Sequence, residues 1–153
     1  MGGRTAGPFE GERSVGELMR HEFVTMNPKE SLLDAERIMR LARIRHMPIV
    51  EDGALVGILS HRDVVEVSLP DRATDARRQQ TEHLGSLAVG GVMHPNPWTA
   101  SPDTTLREAA ERMLRFKIGC LPVVERGPDR LELVGLITES DLLRAAYAPD
   151  LAD

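Results

Sequence analysis

Two places in the sequence carry a hydroxyl side chain three residues before an aspartate: Ser60 with Asp63, and Thr138 with Asp141. A carboxylate can accept hydrogen bonds from both hydroxyl groups of a ribose, and that contact selects a nucleoside over a free base. The same spacing fits a capping box, in which hydroxyl and acid each bond the other residue's backbone N–H at a helix start. Taken alone, the spacing favours helix capping, and the two roles can coexist.

Helix capping is favoured because the spacing recurs where no ligand role is expected. Ser31 stands three residues before Asp34, and Thr105 stands three residues before Glu108, each pair at the start of a predicted helix. A ribose contact must therefore be argued from the rest of the sequence.

Basic residues and threonines add further candidate ligand contacts. Arg45, His46 and Arg62 supply positive charge that suits a phosphate group, although each is equally compatible with an ordinary surface position. Thr25 and Thr99 also allow two interpretations, as ligand contacts or as β-branched residues of a strand.

The other reactive side chains form no metal-binding or catalytic pattern. The histidines lack the close spacing of a paired ligand motif, and a single cysteine, Cys120, is available to join them. They are His21, His46, His61, His83 and His94. Cys120 precedes an apolar strand, which predicts a buried, inert thiol. Since no nucleophile–base pair is recognisable, we expect a protein that is not an enzyme and that has no metal or cofactor.

An internal repeat organises the elements that must position these residues. Residues 15–53 align without gaps on residues 89–127, with 13 identical pairs in 39 positions. After a four-residue insertion in the second copy, Leu-Val-Gly at 55–57 matches 133–135, and Asp63 matches Asp141. The chain is therefore a duplication.

Each copy is predicted to run strand, helix, strand, strand, helix. Short extended stretches at 24–26 and 98–100 are followed by stripes of apolar residues with the period of a helix. The stripes are Leu32, Ala35, Met39 and Ala42 in the first copy, and Leu106, Ala109, Met113 and Phe116 in the second. A turn at Asp52-Gly53 joins two strands. Residues 69–88 are polar and indicate a linker or a solvated helix.

The motifs of both copies closely resemble the cystathionine-beta-synthase-type (CBS) repeat, and the resemblance covers residues 14–147. The motifs are VTMNP (24–28), RHMPIVE (45–51) and GILSHRD (57–63), then WTASP (98–102), CLPVVE (120–125) and GLITESD (135–141). Each motif is moderately specific, but the ordered series occurs twice. The chain is thus identified as similar to a tandem CBS pair, or Bateman module.

The resemblance implies an α/β (α+β) fold with two β-α-β-β-α repeats packed in pseudo-twofold symmetry. The implied division is a disordered leader (1–13), CBS repeat 1 (14–68), a polar linker (69–88), CBS repeat 2 (89–147) and a C-terminal tail (148–153). Such pairs usually form flat dimers, so we expect a homodimer through the CBS helices.

The resemblance also implies a ligand. CBS pairs bind adenosine-containing molecules such as AMP, ADP, ATP or S-adenosylmethionine in clefts between the repeats. The implied nucleotide-binding residues of the first copy are Thr25, Met26, Arg45, His46, Ile58, Ser60, Arg62 and Asp63; those of the second are Thr99, Ala100, Leu136, Thr138, Ser140 and Asp141. Because positive charge gathers in the first copy, we expect unequal sites, with one preferring phosphorylated ligands.

The composition narrows the classes of partner that this chain could bind. A net charge of −5 disfavours nucleic acid, and no apolar run is long enough to span a membrane. One cysteine fits a reducing cytoplasm. We expect a stand-alone regulatory module that binds an adenine nucleotide and signals to an unknown partner protein. The alternative is a structural dimerisation module whose clefts no longer bind a ligand.

Overall fold

The chain divides into two compact units, each of which takes residues from both sequence copies. The computed structural model describes residues 13–70 and 74–151. The repeat 1 unit spans Val24–Pro97, and the repeat 2 unit joins the segment ending at Phe23 to the residues from Trp98 onward. Each copy therefore opens with a segment, 14–23 or 89–97, that belongs to the unit built mainly by the other copy. The predicted leader and tail lie outside the described residues, apart from Arg13 and residues 148–151.

In both copies a long helix, two strands and a further helix follow one another in the same order, but the opening segments differ. They are α1 (Val15–Leu18), α2 (Leu32–Ala42), β1 (His46–Glu51), β2 (Ala54–Ser60), α3 (His61–Val67), α4 (Ala76–Gly85), a 3-10 turn (Val89–Gly91), β3 (His94–Pro95), α5 (Leu106–Phe116), β4 (Cys120–Arg126), β5 (Leu131–Thr138) and α6 (Glu139–Tyr147). This mixture of helices and strands is the predicted fold class.

The repeat 1 unit contains a three-stranded antiparallel sheet in the order β1-β2-β3. Asp52 and Gly53 form the predicted two-residue turn between β1 and β2, both with positive φ (50° and 77°), as such hairpins require. Its core residues come from the helices and the strands alike: Met26, Leu32, Ala35, Met39, Met47, Ile49, Leu59, Val64, Leu84 and Val89.

The repeat 2 unit contains the β4–β5 hairpin, which pairs in the same register and carries the same irregularity. Here the connecting loop has four residues (127–130) instead of two, and the insertion also adds the pair Arg126 with Leu131 to the ladder. The core residues are Val15, Ala100, Leu106, Ala109, Met113, Leu121, Val123, Ile137 and Leu142.

Two local features differ from the sequence prediction, and a third agrees with one of its alternatives. The predicted first strands shrink to single parallel bridges, Met26 with Ile49 and Ala100 with Val123. The apolar stripe of α2 ends one turn early, since Ala42 is exposed. The polar region between the copies contains α4, a solvated helix that buries Leu84 in the core.

Candidate functional site

In the repeat 1 unit, the aspartate of the first hydroxyl–carboxylate pair lies at the junction of β2 and α3. Asp63 Oδ2 accepts from the Ser60 backbone N–H at 2.7 Å, and Ser60 Oγ accepts from the Asp63 N–H at 3.2 Å. This is the capping box that the spacing predicted. The carboxyl group is buried, with 6% of the residue exposed. Its second oxygen, Oδ1, lies 2.9 Å from Nε2 of His94.

The repeat 2 unit builds the equivalent arrangement between β5 and α6. Asp141 Oδ2 accepts from the Thr138 N–H at 2.9 Å, and Thr138 Oγ1 accepts from the Asp141 N–H at 3.2 Å. Asp141 Oδ1 accepts from Nε and Nη2 of Arg20, at 3.0 and 2.9 Å. Arg144 Nη1 lies 3.7 Å from the same oxygen. The carboxylate is 5% exposed and is surrounded by positive charge.

Backbone pairing places His94 over Asp63 and Arg20 over Asp141. His94 pairs with Ile58 in the antiparallel β2–β3 ladder. Arg20 pairs with Leu136 through two backbone hydrogen bonds, N–H to carbonyl oxygen at 2.8 and 3.1 Å. Arg20 and His94 occupy the same position of the repeat alignment, so both units build their site by the same rule.

Two glycines allow these segments to come so close to the strands. A Cβ on Gly57 would strike the Met93 side chain and lie 3.0 Å from the His94 carbonyl oxygen. A Cβ on Gly135 would strike Met19 and lie 3.2 Å from the Arg20 carbonyl oxygen. Close packing against the strands therefore requires glycine at both positions.

The remaining implied residues of the first copy surround the β1–β2 hairpin. Met26 runs beside β1, with its N–H donating to the Pro48 carbonyl oxygen at 3.3 Å. His46, half-buried, lies opposite Ser60 in the ladder, and Ile58 is half-buried. Thr25, Arg45 and Arg62 are exposed. The hairpin therefore groups His46, Ile58, Ser60 and Asp63, while the two arginines extend toward solvent.

In the second copy, Ala100 and Leu136 are buried, Thr99 and Thr138 are half-buried and Ser140 is exposed. The Thr99 carbonyl oxygen accepts from Arg112 Nη1 at 2.9 Å. Trp98 beside it stacks on Phe116, with ring centroids 3.8 Å apart. The predicted strand at 98–100 is thus anchored to α5 through Arg112 and Phe116.

The sequence prediction missed Arg20 and His94 as members of the site. Both lie before the motif that carried the family resemblance, and neither stands close in sequence to the aspartate that it contacts. A signal was nevertheless present, since the repeat alignment pairs Arg20 with His94 and conserves basic character between the copies.

Cys120 lies at the start of β4, opposite Thr138 in the ladder. Burial raises the pKa of the Cys120 thiol, and the nearby negative charge of Asp141 raises it further. The thiol is therefore protonated at physiological pH, and the predicted burial of Cys120 is confirmed.

The described residues contain neither a cluster of metal ligands nor a helix that could span a membrane. Within residues 13–70 and 74–151, no three His, Cys, Asp or Glu side chains gather as a metal site would require. Over the same ranges, no helix has the length and apolar character needed to cross a membrane.

The repeated fold and the paired hydroxyl–carboxylate sites define a tandem module of the type that the motifs resembled. The chain belongs to the CBS domain family, whose model matches residues 15–70 and 89–148. The predicted family and fold class are confirmed.

Comparison with individual proteins places the chain among CBS pairs. The inosine-5'-monophosphate dehydrogenase of Korarchaeum cryptofilum is 34% identical over 121 residues, which make up 79% of this chain and 22% of that enzyme. The chain thus spans about a fifth of that relative's length.

Two solved structures share the fold over nearly their whole length. The CBS-pair protein CBSX2 of Arabidopsis thaliana, in complex with AMP, aligns with a TM-score of 0.70 at 26% identity, covering 88% of this chain and 96% of that chain. The CBS domain pair of protein MJ0100, in complex with 5'-methylthioadenosine and S-adenosyl-L-methionine, aligns with a TM-score of 0.70 at 26% identity, covering 88% and 95%.

Proposed function

We propose that this chain is a regulatory module that binds an adenosine-containing ligand, with AMP, ADP and ATP as the first candidates and S-adenosylmethionine as a further one. The observation that carries the proposal is the pair of equivalent carboxylates, Asp63 and Asp141. Each is buried at the end of an apolar strand, with one oxygen fixed by a backbone N–H. A carboxylate oriented in this way suits the two hydroxyl groups of a ribose.

The ligands of similar proteins support the choice of adenosine. AMP, 5'-methylthioadenosine and S-adenosyl-L-methionine, named for CBSX2 and MJ0100, all carry an adenosine group. They differ in charge at the 5' end. The shared part is the ribose and the base, which matches a site built on a carboxylate and on apolar strands.

Basic residues within the first-copy motifs favour unequal ligands, although Arg20 and Arg144 also lie against Asp141 in the other unit. Exposed Arg45 and Arg62, with half-buried His46, surround the first-copy motifs. The second copy has Gly119 and Cys120 at the positions of Arg45 and His46, and Ser140 at the position of Arg62. We expect the site near the basic group to prefer phosphorylated ligands, more strongly at low salt. The other site then takes a less charged ligand or stays empty.

The proposed role is regulation rather than catalysis. Asp63 and Asp141 are both engaged in helix capping, and Cys120, the single thiol, is buried and protonated. Neither feature suits a nucleophile or its base. Ligand binding would act through contacts with a partner protein, in a reducing cytoplasm where Cys120 stays unpaired.

A second candidate function is homodimerisation. Val65 on α3 and Leu143 on α6 occupy equivalent repeat positions and are 56% and 60% exposed. Leu69 and Tyr147, four residues further along, are 39% and 74% exposed. The predicted stripes on α2 and α5 are largely buried inside their own units, so these four residues are the better candidates for a dimer contact. Dimerisation and ligand binding are compatible.

A thermal-shift series tests the ligand proposal. AMP, ADP, ATP and S-adenosylmethionine are added at millimolar concentration, with guanosine monophosphate as the control for base selectivity. At a concentration 100-fold above the dissociation constant, a ligand stabilises the fold by about 2.7 kcal/mol, which visibly raises the melting temperature. A melting temperature unchanged by every adenosine compound would leave the dimerisation module as the better interpretation.

A further inference from the structure

The structure places a basic side chain over each of the two carboxylates, and we propose that Arg20 and His94 act as latches on the ligand sites. The inference rests on the proposed function, since it concerns how a ribose reaches Asp63 and Asp141. In the latched state the basic side chain holds Oδ1, and a ribose hydroxyl must replace it there. The histidine latch depends on pH, whereas the arginine latch does not.

In each carboxylate, both oxygens already have a partner within the protein. One oxygen of each accepts from the N-cap backbone, and the other accepts from, or lies at hydrogen-bonding distance to, the basic side chain. Only 6% of Asp63 and 5% of Asp141 is exposed. The capping bond holds the helix start in place, so Oδ1 is the oxygen that can be released without fraying α3 or α6.

In both contacts the basic side chain is the more exposed partner, and the carboxylate is the buried one. His94 is 70% exposed at its side chain and Arg20 is 42% exposed. Each can therefore turn outward into water, but the buried carboxylate that it leaves then needs a new donor, because an unpaired buried group is costly. A ribose hydroxyl that donates to Oδ1 restores the lost hydrogen bond.

The two latches differ in how pH controls them. Arginine keeps its charge throughout the physiological range, whereas histidine gains a positive charge as pH falls from 8 to 5. A protonated His94 makes a charge-assisted bond with Asp63, which is stronger than the bond that the neutral ring makes. Acidification should therefore strengthen the latch of the repeat 1 unit alone.

Other titratable groups stand near this pair and must be separated from it. His46 lies opposite Ser60 on β1, while exposed His61, Arg62 and Glu66 lie on α3. β2 itself, Ala54–Ser60, contributes no charged side chain. Since His46 and His61 are also histidines, the test must change His94 and leave those two in place.

The chain itself offers a matched pair of variants, because Arg20 and His94 are equivalent positions. In His94→Arg, both latches are permanent; in Arg20→His, both depend on pH. His94→Ala removes the repeat 1 latch. Circular dichroism melts check that each variant folds. If Arg20→His does not fold, the two His94 variants are enough to test the proposal.

Adenosine is the probe, because it carries the ribose and base but no phosphate that His94 or Arg62 could attract. Calorimetric titration at pH 8.0 and pH 5.5 should show wild-type affinity for adenosine falling by about two- to fivefold at the lower pH. His94→Arg and His94→Ala should abolish that change, the first with weaker binding and the second with tighter binding. Arg20→His should enlarge it.

The outcomes distinguish failure of the latch proposal from failure of the proposed ligand-binding function. If wild-type protein binds neither adenosine nor AMP, the proposed function fails and the latch falls with it. If wild-type protein binds adenosine and the pH change persists in His94→Arg, the ligand site stands and the latch is wrong, since His46 or His61 then controls the pH response. Binding that is the same at both pH values, or stronger at pH 5.5, also overturns the latch.

Discussion

Arg20 and Asp141 lie 121 positions apart in the chain and are joined by two hydrogen bonds, from Nε and Nη2 of the guanidinium to one carboxylate oxygen. The contact fastens the segment that opens the first sequence copy onto the unit formed by the second copy. His94 and Asp63 make the corresponding contact in the other unit at a separation of 31 residues. Both contacts have consequences for stability and for ligand binding.

Removing the arginine should weaken the repeat 2 unit. Arg20→Ala leaves Asp141 buried with one fewer cationic partner, and we expect the free energy of unfolding to fall by about 1–2 kcal/mol. Urea denaturation measures the change. Arg78→Ala is the control, because its ion pair with Glu82 is exposed on both sides and should contribute about 0–0.5 kcal/mol. Equal effects of the two variants would contradict a special role for Arg20.

The close approach of β2 and β3 should make Gly57 intolerant of a side chain. In Gly57→Ala, the added Cβ meets the Met93 side chain and the His94 carbonyl oxygen, and backbone cannot move aside as easily as a methionine. We expect a loss of about 1–3 kcal/mol in unfolding free energy. Gly91→Ala is the matched control, because an added Cβ there has nothing within 4 Å. A Gly57→Ala variant as stable as Gly91→Ala would show that the segment repacks freely.

Replacing each aspartate with glutamate should distinguish its role in helix capping from its role in ligand binding. Asp63→Glu and Asp141→Glu keep the acid of the capping box, so we expect stability to change by about 1 kcal/mol or less. The extra methylene misplaces the ribose contact, and we expect AMP affinity to fall by about tenfold or more at the altered site. Calorimetry measures the affinity and thermal melts measure the stability.

Glu108→Asp provides the control for that experiment. Glu108 forms a capping box with Thr105 on α5, so the variant alters a box by one methylene without touching either aspartate. Its AMP affinity should match that of the wild-type protein. If both aspartate variants also bind AMP normally, Asp63 and Asp141 only cap their helices.

Cys120 should resist alkylation until the fold opens. Because burial raises the pKa of its thiol, the reactive thiolate is scarce at pH 8, and we expect iodoacetamide to leave the folded protein unmodified. In denaturant the pKa returns toward its ordinary value and modification should proceed. Mass spectrometry of the intact protein measures both states. Rapid labelling of the folded protein would mean that β4 opens readily.

The exposed apolar residues of α6 should control assembly. Leu143→Asp places a charge in the proposed dimer contact, and we expect light scattering at micromolar concentration to change from a dimer to a monomer. Leu41→Asp is the control, since Leu41 is 82% exposed but lies on α2. A wild-type protein that is already monomeric at that concentration would exclude the proposed contact.

The parts that the sequence alone determined are local ones. The apolar residues of α2 and α5 recur with the period of a helix, and Asp52-Gly53 is a turn that few other residue pairs can form. Ser60 and Asp63 stand three residues apart, so the capping box closes within one helical turn. The duplication itself was readable because the two copies retain their spacing.

Only the tertiary structure shows that each opening segment, 14–23 or 89–97, belongs to the unit built mainly by the other copy. This placement supplies the basic partners of the two aspartates. Nothing near Asp63 in the chain points to His94, and nothing near Asp141 points to Arg20, because each contact arises from antiparallel pairing between distant backbone segments. That pairing needs Gly57 and Gly135 to admit the neighbouring segment, and such a fit depends on the packed fold. The sequence could therefore propose the carboxylates, whereas the side chains that cover them required the three-dimensional arrangement.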